Sequence, residues 1–337
     1  MEGDGVFMQI PAEITGYIEN CQSKYNQAEL TDAARKLSKR YREQNSCGKS
    51  LISNEAEVLA YVTARMPATY GAVYSALRET LLRVPSLKAD SVLDVGAGTG
   101  AASYAADVLL NPDRIICLER DFRMSSIGKE LFSNASLALQ NAAWKIFDIT
   151  EGILPYHADL VVSSYVLNEL DTQKLDDTIL KLWSAADQIL LLVEPGTPKG
   201  YSILNRARSI LLKEKAHIIA PCVHEKGCPL PENDWCHFTC RIPRSRMHRQ
   251  LKSADAPYED EKFAYLAVTS KEVPVNHDGR ILRHPEIGKG YLTMNVCTEE
   301  GIRKVTYSKK DGALYKSARK SGAGDRIALP ASIEGKR

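Results

Sequence analysis

The chain has 337 residues, 44% of them hydrophobic and 26% charged, with 44 Lys/Arg against 42 Asp/Glu. That is the composition of a soluble globular protein with room for more than one domain; it excludes a collagenous or largely disordered chain. No apolar run approaches the roughly 18 residues that a bilayer span requires, so no membrane partner is expected.

The charge is unevenly spread. Residues 280–337 hold 13 Lys/Arg and 6 Asp/Glu, a net +7, which leaves −5 for residues 1–279. A basic C-terminal region suits a polyanionic partner, because Lys and Arg gain affinity by releasing the counterions of phosphates; a solvated Lys-rich face reads the same way. Eight cysteines without a secretory signal indicate a reducing compartment, where clustered thiols more often bind metal than pair with one another.

In chain order, residues 27–83 have helical periodicity, with Leu30, Ala33, Ala34, Leu37 and Tyr41 on one stripe and Tyr70, Val73, Tyr74, Leu77 and Leu81 on another. Pro67 interrupts or starts a helix, and the stripes are core-packing faces of an N-terminal helical region over 1–85. After Pro85 short apolar runs alternate with helical stretches, the signature of a parallel sheet with crossover helices. Strands are predicted at 91–95, 114–118, 144–147, 158–163, 188–193 and 263–269, and helices at 100–110, 122–132 and 201–216. Residues 220–257 break this rhythm with Pro, Cys, His and Arg. Residues 291–308 read as a hairpin turning at Glu299-Glu300-Gly301.

The segment 91–100, SVLDVGAGTG, runs a hydrophobic strand into Gly96, Gly98 and Gly100 and then a helix. Glycines there let the backbone turn tightly and a ligand lie against it. The spacing is GxGxG after Asp94, not the GxGxxG of dinucleotide sites, which favours S-adenosylmethionine, with Asp94, Gly96, Gly98 and Gly100 as candidate cofactor-binding residues. About twenty residues on, the next strand ends at Glu119, whose carboxylate can accept from both ribose hydroxyls. Asp148 ends the third strand, either near an adenine or simply in solvent. The fourth strand carries Ser163, Ser164, Tyr165 and Asn168 to the edge where a methyl acceptor would sit. Neither an Asn-Pro-Pro-Tyr signature for amino methylation nor a Pro-Cys nucleophile stands there, and no catalytic residue is assigned.

Residues 220–240, APCVHEKGCPLPENDWCHFTC, gather Cys222, Cys228, Cys236 and Cys240 with His224 and His237. Zinc sites usually show a tight C-x2–4-C knuckle, and only Cys236 and Cys240 have that spacing. The looser gaps suit an iron–sulfur cluster at least as well, and Pro229 beside Cys228 matches the Cys-Pro pairing common in such sites. Arg241, Arg244, Arg246, Arg249 and Lys252 follow at once, too interrupted by Pro for a simple helix face and placed to contact an RNA backbone.

With these residues in view, the chain resembles the small-ribosomal-subunit-associated methyltransferase-like family, comprising the mitochondrial small-subunit assembly factor and its bacterial homologues. The resemblance rests on MPATYGAVY at 66–74, the turn at 93–100, VEPGTPKG at 193–200, Pro221-Cys222-Val223-His224 through Cys228-Pro229, and Trp235-Cys236-His237-Phe238. It implies an α/β protein: a Rossmann-like class I methyltransferase domain (86–219 plus 260–270) with an N-terminal helical cap, a Cys-rich metal-binding insertion (220–257) and a basic β-rich C-terminal extension (280–337). It further implies a [4Fe–4S] cluster on Cys222, Cys228, Cys236 and Cys297, with Cys297 replacing the Cys240 that spacing alone would choose. The implied partner is the small ribosomal subunit and its rRNA, contacted by Arg241, Arg244, Arg246 and Arg249 and by Lys309 and Lys310. A monomer is expected. The family leaves the methyltransferase activity itself unfixed. The first residues lack the look of a presequence, which points to a cytoplasmic protein of bacterial type, or to the mitochondrial matrix if a presequence has been removed.

Overall fold

The computed structural model describes residues 8–21, 26–43, 52–252, 255–274 and 278–330. Four helices come first: α1 (Ala12–Cys21), α2 (Gln27–Glu43), α3 (Glu55–Ala64) and α4 (Met66–Leu81). Asn54 caps α3 by accepting from the Glu57 N–H. Pro67 lies in the first turn of α4, where a missing N–H costs nothing, so it starts this helix and breaks none. α4 is buried over most of its surface because it packs against both the central sheet and the helix that follows the first strand. Its Tyr70 and Leu77 share one core with Val92, Ile115 and Leu191 of that sheet.

The αβ region then runs β1 (Ser91–Val95), α5 (Ala101–Leu110), β2 (Arg114–Glu119), α6 (Phe122–Phe132), α7 (Leu137–Gln140), β3 (Ala143–Ile146), β4 (Ala158–Ser164), α8 (Leu175–Ser184), β5 (Ala186–Pro195), α9 (Pro198–Lys213), β6 (His217–Ala220), β7 (Phe238–Pro243), α10 (Arg246–Leu251) and β8 (Tyr258–Thr269). Along the sheet the order is β3-β2-β1-β4-β5-β8-β6. The first five strands are parallel and β8 is antiparallel to β5. Residues Leu190 to Val193 are fully buried because helices cover both faces, which is why this strand reads as an unbroken apolar run. From β1 the chain moves outward through β2 and β3, then returns to the other side of β1 as β4. That reversal opens a crevice beyond the carboxyl ends of β1 and β4, the place where doubly wound sheets bind ligands.

The expected Cys-rich insertion does not stand apart from the sheet. β6 and β7 both pair antiparallel with β8, β6 through residues 217–220 and β7 through residues 238–243, so the long stretch of loop is reduced to residues 221–237. Alternation along β7 explains the arrangement: Phe238, Cys240 and Ile242 are buried, while Thr239 and Arg241 face out.

The remainder forms a second sheet from β9 (Gly279–Ile281), β10 (Glu286–Ile287), β11 (Tyr291–Thr298), β12 (Gly301–Ser308) and, after helix α11 (Ala313–Ala318), β13 (Arg326–Ile327). β11 and β12 make the predicted hairpin, Tyr291 opposite Ser308 and Thr298 opposite Gly301. Its inner face has a small core of its own around Ile281, Met294, Val296, Val305 and Tyr307.

Candidate functional site

β1 delivers the glycine-rich turn to the crevice. Gly96, Gly98 and Gly100 have φ of 74°, 57° and 87°, a left-handed backbone that side chains disfavour. A Cβ at 96 would stand 2.2 Å from Val166 Cγ2, and one at 100 would stand 2.4 Å from Phe132 Cζ. At 98 the nearest atom is Met124 Cε at 3.4 Å, so that position is constrained by its backbone and by whatever lies against it, not by packing.

The amides of this turn are already occupied. The Gly96 and Ala97 N–H groups donate to the Leu118 carbonyl at 2.8 and 3.0 Å, and the Gly100 N–H donates to the Ala97 carbonyl at 2.7 Å. The Gly98 N–H donates to Glu119 Oε2 at 2.8 Å. Dinucleotide sites use such amides, at a helix N-terminus, to hold a pyrophosphate. Here three of them tie the turn to β2, which suits a nucleoside ligand without phosphates and so favours adenosylmethionine over a dinucleotide.

A cavity of about 850 Å³ lies against the turn, within the size range of small-molecule sites. Gly96, Gly98, Glu119 and Asp148 line it, whereas Asp94 and Gly100 do not. Asp94 is fully buried; its Oδ2 accepts from the Ser103 N–H and hydroxyl at 3.0 and 2.8 Å, and its Oδ1 has no partner in the structure. Burial pushes its pKa up to about 7. Asp94 therefore braces α5 under the turn and does not face the ligand space. Burial also raises the Glu119 pKa. Each Glu119 oxygen accepts one backbone N–H, from Gly98 and from Asp121 at 2.8 and 2.7 Å, and keeps a second lone pair for a ribose hydroxyl. Asp148 Oδ1 accepts from the N–H and hydroxyl of Thr150 at 2.9 and 2.7 Å while it faces the cavity.

The edge beyond β4 brings Tyr165, which the sequence places there, together with acidic and basic groups that the sequence does not single out. Tyr165, just beyond β4, has φ of 61°, a rare backbone state for an aromatic residue and one that concentrates at functional sites. Its hydroxyl donates to Glu261 Oε1 at 2.9 Å, and the same carboxylate accepts two bonds from Arg65, at 3.3 and 3.2 Å. Glu194, at the end of β5, accepts from the N–H groups of Leu167 and Asn168 and from the Asn168 amide, fixing the turn after β4. Burial raises Glu194 to about 8 and the neighbouring Glu169 to about 7. The one signal in the sequence for these groups was the polar run after the β4 strand.

A second, smaller cavity of about 60 Å³ is lined by Cys222, Cys228, Cys236 and Cys297. Cys240 is not on it: this residue faces α4, where a Cβ on Gly71 would come within 3.2 Å of its Sγ. Burial raises the pKa of Cys222 and Cys236, and raises Cys297 to about 12. Each of these thiols is also raised by others of the four, which marks them as neighbours. Tyr201 donates to Cys228 Sγ at 3.1 Å. Two nearly buried guanidiniums, Arg208 and Arg280, also line the cavity; Arg280 donates to the Pro221 carbonyl and pairs with Glu79 at 3.0 Å. Among the described residues, no group of three or more His, Cys, Asp or Glu side chains is gathered tightly enough to hold a metal ion.

The family of the chain is decided by a comparison along its length. The model of the family described as "Mitochondrial small ribosomal subunit Rsm22" matches residues 55–328. This chain belongs to the Rsm22 family. Among its relatives are the human mitochondrial ribosome assembly protein METTL17, 27% identical over 300 residues, and the mitochondrial Rsm22-cox11 tandem protein 2 of Schizosaccharomyces pombe, 25% identical over 334 residues. Each match covers 83% of this chain, but the chain spans only 64% and 44% of the length of these relatives. Among solved structures, the magnesium protoporphyrin IX methyltransferase of Synechocystis, with bound SAM, is 14% identical; the match covers 79% of this chain and 100% of that one, with a TM-score of 0.41.

In this Rsm22-family chain the six expected RNA contacts are dispersed. Arg241 leaves β7 to pair with Asp260 through two bonds, at 2.7 and 2.9 Å, with its guanidinium 4.1 Å over the Tyr258 ring. Arg244 turns inward to the wall of the larger cavity and meets Glu259 at 3.4 Å. Arg246 and Arg249 are exposed on α10, and Lys309 and Lys310 are exposed just after β12.

Proposed function

We propose that this Rsm22-family protein is a small-ribosomal-subunit assembly factor that binds rRNA, holds adenosylmethionine at the glycine-rich turn and carries a [4Fe–4S] cluster. The observation that carries the ribosomal part is the family match over residues 55–328. The mitochondrial naming of the relatives favours the mitochondrial matrix over the cytoplasm for this chain too.

Adenosylmethionine fits the larger cavity because the amides of the turn are occupied, Gly98 is free of close packing, and Glu119 keeps lone pairs for a ribose. Gly96, Gly98, Glu119 and Asp148 would hold it, with Asp94 bracing the turn from behind. The cofactor supplies an activated methyl group. Methyl transfer to rRNA is the reaction the site would then support, an in-line displacement in which placement of donor and acceptor provides much of the rate, with no acid–base dyad required.

For the smaller cavity the donor chemistry supports a cluster on Cys222, Cys228, Cys236 and Cys297. Four thiols surround one space, and Arg208 and Arg280 would offset the negative charge of their thiolates. A bound cluster would tie the loop at 221–237 to β11, fixing the second sheet against the methyltransferase-type domain.

Anaerobic purification followed by iron, labile sulfide and zinc analysis tests the cluster: a colourless protein with one zinc per chain contradicts it. Calorimetry with S-adenosylhomocysteine tests the larger site, and sedimentation with small ribosomal subunits tests the partner.

A further inference from the structure

Charge is unevenly spread over the larger cavity. Glu119, Asp121, Asp148 and Glu169 lie toward the glycine turn with a single cation, Arg120, which pairs with Glu169, while Arg65, Arg244 and Lys252 come from the N-terminal helices and from the segments just after β7 and α10; Arg35 also lines the cavity and pairs with Asp32. The cations of that wall exceed their carboxylates. Arg65 is matched by Glu261. Glu259, however, takes three groups at once: Lys252 Nζ at 2.5 Å, His248 Nε2 at 3.0 Å and Arg244 Nε at 3.4 Å. Even with His248 neutral, three cations face two carboxylates. Glu259 is held ionised by these partners, its pKa far below the usual carboxylate range despite partial burial. The arrangement is also rigid, since His248 is 1% exposed on α10 and α10 packs against α2 and α3. From the same short helix Arg246 and Arg249 extend the positive charge outward into solvent.

We infer that Arg244 and Lys252, held in place by Glu259, form a phosphate-binding site at the acceptor side of the cavity, which takes one phosphodiester of a single-stranded RNA and leaves its base inside. The assignment rests on the reading of the opposite wall as the adenosylmethionine site. A cationic sulfonium belongs against the acidic wall and an anionic acceptor against the basic one, so the division of charge orients donor and acceptor toward each other. Arg suits the task because its planar fork matches phosphate oxygens, and Lys252 adds a point charge beside it.

The test uses the full chain and a short fluorescein-labelled single-stranded RNA, titrated over a range of salt concentrations, with S-adenosylhomocysteine affinity measured in parallel. In the double variant Arg244→Gln/Lys252→Gln, RNA affinity is expected to fall about tenfold or more, and the log–log salt slope to fall by about 0.7, the value for one phosphate no longer neutralised on a single strand. Arg244→Lys, which keeps the charge and loses the fork, should keep the wild-type salt slope with an RNA affinity between those of wild type and the double variant, while adenosylhomocysteine affinity should stay within about twofold of wild type in every variant. If the double variant does not fold, Lys252→Gln against Lys252→Arg makes the same comparison of charge lost with charge kept. RNA affinity and slope unchanged in the double variant overturn the inference while the cofactor reading stands. Loss of adenosylhomocysteine binding with RNA unaffected overturns it differently, by assigning these cations to the cofactor's own carboxylate. An oligo-aspartate peptide that displaces the RNA as well as unlabelled RNA does would also overturn it. Wild-type protein that binds no adenosylhomocysteine, yet loses RNA affinity in the double variant, overturns the cofactor reading and supports the phosphate site.

Discussion

Replacing Gly98 by Ala isolates what the glycine-rich turn does. The residue has φ of 57°, so the substitution forces an L-residue into the left-handed region at a cost of about 1–2 kcal/mol. Little steric cost is added, because the new Cβ would find Met124 Cε at 3.4 Å and the Tyr61 hydroxyl at 3.9 Å, both ordinary contacts. The expected loss in Tm is therefore about 2–8 °C. On the proposed placement of adenosylmethionine the new methyl group would meet the cofactor, and S-adenosylhomocysteine affinity should fall at least tenfold, about 1.4 kcal/mol. Gly152→Ala is the control: it has φ of 69° with nothing within 4 Å, so it carries the same backbone penalty but should leave binding unchanged. Gly96→Ala should lose both stability and binding, since its Cβ would collide with Val166 Cγ2 at 2.2 Å. Thermal unfolding and calorimetry on the three variants decide the matter. Gly98→Ala that melts like Gly152→Ala and binds S-adenosylhomocysteine as tightly as wild type refutes the placement of a ligand against the turn.

Three further outcomes are expected. Asp94 has a folded pKa of about 7 against 3.8 in an open chain, so the folded state binds the extra proton; its contribution to stability is present at low pH and lost as pH rises from about 4 through about 7. Asp94→Asn should flatten that part of the stability–pH profile in denaturant titrations, leaving a residual slope from Glu169 and Glu194, which are raised in the same sense. Serine at Cys222, Cys228, Cys236 or Cys297 should abolish iron and labile sulfide in anaerobically purified protein, whereas Cys240→Ser should keep both; equal loss in all five would remove the distinction drawn from the cavity. Neutralising Arg246 with Arg249, or Lys309 with Lys310, should lower RNA affinity and its salt dependence, and binding insensitive to salt in the wild type argues against a phosphate-tracking surface.

The parallel half of the sheet is legible because β1, β2, β4 and β5 are largely buried and its punctuation is strong: 91–95 and 122–132 have the predicted limits. What escaped was short or spatially remote. α8, LDDTILKLWS, buries Leu175, Thr178, Ile179 and Leu182, yet its apolar stripe is too brief to stand out beside the loop that precedes it. β6 has four residues and β7 is masked by the prolines and cysteines around it; both gain their strand character from the long β8, which comes later in the chain. Sequence proximity likewise favoured Cys240 as a partner of Cys236, but in a strand the side chains alternate, and Cys240 points to α4 instead. Asp94 was read as facing the ligand because it precedes the turn, whereas its side chain turns to Ser103. Arg65, Tyr165 and Glu261 meet from three distant segments, and no local pattern could reveal that.

Crosslinking in cells followed by sequencing of the bound RNA tests the central claim most directly. Reads should concentrate on small-subunit rRNA, and fewer of them are expected when Arg246 and Arg249 are neutralised. Recovery of RNA with no enrichment of small-subunit rRNA, from a protein that is folded and bound to adenosylmethionine, would contradict it.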